Sequence, residues 1–137
     1  MIYIHAKAGH LSESEYTNMY YRDFFSYTQK VRGNNALIMA RAVDSFLGFS
    51  YFKFAPRDVV FDGWVGNKYG SFFGFKESVR NMIHSAWDKY VGFTTEIGGY
   101  EGMTPENKIL FIRWFQLATF TSAMHNGGYG THERRYF

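Results

Sequence analysis

The chain has 137 residues, of which 15 are Lys or Arg, 12 are Asp or Glu and none is Cys. Disulfides, thiolate metal sites and a cysteine nucleophile are therefore excluded, and the formal charge of +3 is too small and too evenly spread for a dedicated duplex-binding surface. Aromatic residues make up 21% of the chain, more than a core of this size can hide, so some Tyr and Phe are expected at the surface.

In chain order, Ile2–His5 reads as a short opening strand. Ser12 followed by Glu15 has the spacing of a capping box, and Tyr16, Met19, Tyr20, Phe24, Tyr27 and Val31 then recur at helical spacing up to Gly33. This predicts a helix over 13–32. Asn35 can cap a second helix over 36–47, whose polar residues Arg41, Asp44 and Ser45 share one narrow face. Phe49–Phe54, Val59–Val65 and Ser71–Phe75 are aromatic or β-branched runs separated by turn residues, and read as an antiparallel meander over about 49–75.

From Lys76 to Val91 the pattern is amphipathic. Val79, Met82, Ile83, Ala86, Trp87, Tyr90 and Val91 form the apolar face, opposite Glu77, Arg80, His84 and Asp88. A glycine-bearing loop follows. Thr104-Pro105-Glu106 then starts a largely apolar helix over 105–124. The expected architecture is a single α+β domain over 1–124, four helices packed on the meander, with a flexible or partner-ordered tail over 125–137. The N-terminus lacks the form of a signal peptide, and the longest uncharged stretch, 114–132, is too polar to span a bilayer. A cytoplasmic location without membrane contact is expected.

Candidate chemistry is sparse. His5, His10, His125 and His132 lie near the termini, but without the i, i+4 spacing of a zinc helix, so no metal or cofactor is expected. Asp58 with Asp62, and Glu96 with Glu101, are carboxylate pairs that a hydrolase could use as acid and base. No nucleophile elbow or phosphate loop accompanies them. Lys68–Phe75 (KYGSFFGF) resembles the aromatic octamer of RNA-recognition sheets.

These observations favour a small non-enzymatic protein that docks on a protein or nucleoprotein assembly, as an inhibitor, adaptor or phage-type virion component. Its expected contacts are Tyr21, Arg22, Phe25 and Arg32 on the first helix, and Tyr129, Arg134, Arg135, Tyr136 and Phe137 in the tail. Self-association could use helix 105–124. One alternative is a single-strand nucleic-acid binder with Tyr69, Phe73 and Phe75 as stacking platforms and Lys53 and Lys68 on phosphates. The second is a small hydrolase or metal-dependent enzyme.

Overall fold

The computed structural model describes residues 3–6, 9–40, 55–100 and 108–126. An antiparallel hairpin, β1 (Tyr3–Ala6) and β2 (Gly9–Ser12), leads into α1 (Glu13–Arg32). The capping box forms as the spacing predicts. The Ser12 hydroxyl accepts from the Glu15 amide, and the Glu15 carboxylate takes the Ser12 amide at 2.9 Å, which satisfies two orphan donors of the first turn. Gly33 closes the helix at φ 65°, a conformation that costs glycine least.

The opposite face of α1 from that expected is turned inward. Tyr21 and Phe25 pack against a core of Ile38, Ala40, Ala55, Val59, Val60 and Tyr90, while Tyr16, Met19, Tyr20, Phe24, Tyr27 and Val31 are exposed. Burial accordingly pushes the Tyr21 phenol above its usual range.

The middle of the chain departs from the expected meander. β3 (Met39–Ala40), β4 (Asp62–Trp64) and β5 (Gly92–Thr94) form a parallel sheet in the order β3-β4-β5. A helix over 36–47 is overturned at its start, because 36–38 is irregular and β3 follows; the rest of that range and the strand Phe49–Phe54 lie outside the described residues. The predicted strand Ser71–Phe75 is instead a helix start. The Ser71 hydroxyl accepts from the Gly74 amide at 3.1 Å and caps α2 (Phe72–Trp87). Gly74 is required there: a Cβ would lie 2.0 Å from the Tyr69 carbonyl oxygen.

α2 buries the small or polar Gly74, Ser78, Asn81 and Ser85 together with Met82; of the apolar face read from the sequence Met82 and Tyr90 are buried, whereas Ile83, Trp87 and Val91 are exposed. α3 (Lys108–Ala118) ends six residues before the predicted helix does. Its buried Leu110, Trp114 and Ala118 form a second core with Ile97, joined by Phe75, Phe111 and Leu117. Past α3, His125 forms a parallel bridge with Glu96. Parallel strand positions thus follow one another in chain order at β3, β4, β5 and His125, with α2 and α3 as the last two crossovers. An antiparallel meander under four helices is replaced by a βαβα succession, in which parallel pairing forces each connection to cross back over the sheet.

Candidate active site at the C-terminal edge of the sheet

The two faces of the sheet carry different chemistry. Phe93 lines an apolar groove of about 260 Å³ with Val79, Met82 and Ile83 of α2 and Leu117 and Phe120. Thr95 donates to Ser78 of α2 and accepts from the indole of Trp114. Phe93, Thr95 and Ile97 therefore point at the helices, and alternation turns Gly92, Thr94 and Glu96 to the other face. Register pairs Asp62 with Gly92 and Trp64 with Thr94, so Asp62 and Trp64 share that second face. His125 joins it as the register partner of Glu96.

This face is polar and closed to solvent at its carboxylates: Asp62 and Glu96 are buried, as is Lys68 beyond the end of β4. Asp62 sits at the N-terminal end of β4, where it accepts from the Ser122 hydroxyl. Glu96 lies beyond the C-terminal end of β5, beside a turn built on Gly98 (φ 83°) and Gly99 (φ 86°). That turn locks onto the loop after β4. The Tyr100 amide donates to the Lys68 carbonyl at 2.7 Å, and a Cβ on Gly99 would lie 2.6 Å from the Gly70 nitrogen. Two glycines thus let two loops meet at the edge that carries Glu96 and Lys68.

Asp62 and Glu96 stand at different levels of the sheet. Asp62 is level with Gly92, four residues before Glu96, which separates them by about 13 Å along the strand direction. Hydrolysis of a glycoside needs carboxyls about 5–5.5 Å apart for retention or about 6.5–9.5 Å for inversion. Among the described residues this edge carries one carboxylate, Glu96.

The other candidates are scattered. Asp58 stands in a turn and is gripped by both terminal nitrogens of Arg22 at 2.8 and 2.9 Å. That guanidinium holds the Asp58 carboxyl below its usual range. Arg32 is exposed at the end of α1. Lys53, Glu101, His132 and the tail residues Tyr129, Arg134, Arg135, Tyr136 and Phe137 lie outside the described residues, as does most of the expected tail. The stacking platform fails on geometry: Tyr69 precedes α2, Phe73 is exposed on its first turn, and Phe75 packs edge-on against Trp114 at 5.4 Å. No sheet displays them together. Among the described residues no three His, Asp or Glu side chains converge on a metal position.

Parallel strands in chain order, helical crossovers and a carboxylate past a strand's C-terminal end are the features of a (βα) barrel. The profile of the glycosyl hydrolases family 31 TIM-barrel domain matches residues 5–137. The chain belongs to this family. No curated protein and no solved structure matches it.

Membership overturns the reading of a non-enzymatic docking protein, and with it the inhibitor and phage-type assignments: the family is one of glycosyl hydrolases. The nucleic-acid alternative fits no better, because its aromatic run is a helix start. For the hydrolase alternative, Asp58 is taken up by Arg22 and Asp62 by Ser122, and among the described residues no metal-binding set of His, Asp and Glu assembles. The sequence shows the carboxylate pairs as residue types only; the position of Glu96 comes from the parallel register, which three-residue strands do not announce. Among the described residues no helix is long and apolar enough to cross a membrane.

Proposed function

We propose that this family 31 domain acts on glycosidic bonds, with its sugar site at the C-terminal edge of the parallel sheet and Glu96 as a carboxylate that contacts the sugar. The observation that carries this reading is the burial of Glu96 past the end of β5, on the face turned away from α2 and α3. Catalytic groups of (βα) barrels stand at this end of the strands, where loops can vary without disturbing the packed layers below. Lys68 and the paired glycine loops border the same edge.

A glycosidase needs a second carboxyl across the scissile bond. Among the described residues the C-terminal edge shows no second carboxyl beside Glu96. A cytosolic location suits a chain with no cysteine.

Hydrolysis of p-nitrophenyl α- and β-hexosides tests the reading, with Glu96→Gln and Asp62→Asn compared. Loss of a carboxylate that contacts the reacting sugar should lower kcat/KM by about 10²-fold or more. Asp62→Asn should act on stability instead. Full activity in Glu96→Gln, or no turnover or sugar binding by the folded wild-type chain, overturns it.

A further inference from the structure

Level with Glu96 stands a histidine with one buried ring nitrogen, Nε2, that has no hydrogen-bond partner. We infer that His125 is a second sugar-contacting residue of this edge, its imidazole binding a hydroxyl next to the one that Glu96 takes. The inference rests on the glycosidase reading and adds to it a residue from the next strand position.

Position comes first. The Ile97 amide donates to the His125 carbonyl at 3.0 Å, which sets His125 level with Glu96 in parallel register. Level residues on adjacent strands project from the same face about 4.8 Å apart. A carboxylate and an imidazole so placed span two neighbouring hydroxyls of one pyranose ring.

Chemistry comes second. The Nε2 of His125 is buried and has no hydrogen-bond partner. Buried polar atoms in folded proteins are almost always satisfied, so an unspent one on the binding face points to a ligand. Burial holds the imidazole pKa below its ordinary 6.5, against the opposing pull of the Asp62 carboxylate on β4. The charged groups that share this side are Asp62 on β4, Lys68 after β4 and Glu96 after β5. At neutral pH the ring is therefore uncharged, with one nitrogen donating and the other accepting. A sugar hydroxyl also does both. Glu96 accepts only, so the two residues together can fix the direction of a hydroxyl pair.

Protonation would convert His125 to a donor at both nitrogens and expose Glu96 to an adjacent cation. Sugar binding should then be constant near neutrality and weaken as the imidazole charges below its ordinary pKa.

Calorimetric titration of the full chain with glucose, galactose, mannose and xylose tests this, from about pH 7.5 to about pH 5. The wild type should bind at least one of them and weaken about tenfold across that range. His125→Gln, which keeps an amide donor and acceptor, should bind within about threefold of wild type at neutral pH and lose the pH dependence. His125→Leu should bind about tenfold more weakly at neutral pH. The Cε1–H resonance of His125 should shift on sugar addition, a readout that does not depend on the variants folding. Wild-type affinity in His125→Leu, an unchanged pH profile in His125→Gln, or an unmoved resonance would overturn the inference, and the glycosidase reading survives if Glu96→Gln still weakens binding. If the wild type binds none of the sugars, both fall together.

Discussion

The carboxylate of Asp62 and the hydroxyl of Ser122 meet across Gly92, joining two segments that flank β5 on opposite sides. The hydroxyl also lies 3.0 Å from the Phe93 carbonyl oxygen, so Ser122 ties the return of the chain after α3 to both earlier strands. A Cβ on Gly92 would stand 2.4 Å from the Phe61 carbonyl oxygen, 3.0 Å from Ser122 Oγ and 3.2 Å from Asp62 Oδ1. The first of these is a backbone clash that no side-chain rotation relieves.

Gly92→Ala should consequently destabilise the fold by about 1–3 kcal/mol, the usual scale for an overpacked site. Ser122→Ala keeps the space and removes the donor to a buried carboxylate, at a cost of about 1–3 kcal/mol. Urea denaturation of both variants measures the two effects. A Gly92→Ala protein as stable as wild type would show that β4 and β5 can part without loss.

The Arg22–Asp58 pair sets a pH dependence of opposite origin. It bridges the exposed side of α1 to the turn before β4, and the guanidinium lowers the Asp58 pKa from its ordinary 3.8. A depressed folded-state pKa means that the contribution is complete above about 3.8 and disappears as pH falls through the lower folded value. Both groups are solvent-exposed, so screening keeps the effect small and salt-sensitive. Asp58→Asn should shift the thermal midpoint slightly downward at neutral pH, and the difference should shrink as pH falls below about 3.8 and the wild-type carboxyl takes up its proton. Equal midpoints at neutral pH would show that the bidentate contact adds nothing.

How far the sequence reveals this molecule depends on which residues carry the signal. Ser12 and Glu15 announce α1 because a capping box is local chemistry, complete within four residues. Ser71 and Gly74 cap α2 by similar means, yet the aromatic run Phe72–Phe75 reads as strand, and the close approach of Tyr69 that demands Gly74 exists only after folding. The inward side of α1 is misread because six exposed apolar residues outnumber the two aromatics, Tyr21 and Phe25, that meet the core. The sheet is harder still. β4 falls inside the strand read from Val59–Val65, but nothing in its Asp-Gly-Trp announces parallel partners as distant as β3 and β5. Glu96 looks like one more acid in a glycine loop until the register with His125 places it at the edge of a parallel sheet.

The same hidden polarity underlies a buried chain of donors linking three elements. The Trp114 indole on α3 donates to the Thr95 hydroxyl at 3.3 Å, Thr95 donates to Ser78 on α2 at 3.1 Å, and Ser78 donates to the Gly74 carbonyl at 3.1 Å. Every hydroxyl accepts one bond and donates the next, so the direction of each is fixed by its neighbour. Thr95→Val removes the middle link at nearly constant volume. It strands the indole N–H, while Ser78 keeps its bond to Gly74, and should cost about 1–3 kcal/mol. Ser78→Ala breaks the chain one step later and leaves the Thr95 hydroxyl free to seek another acceptor, at a smaller cost. Because the two share a bond, the double variant should lose less than the two single losses combined, by about 0.5 kcal/mol or more. Urea unfolding followed by far-ultraviolet circular dichroism gives all four stabilities. Strict additivity would mean that the two hydroxyls act separately on Trp114 and α2, and that the layer between sheet and helices is held by packing alone.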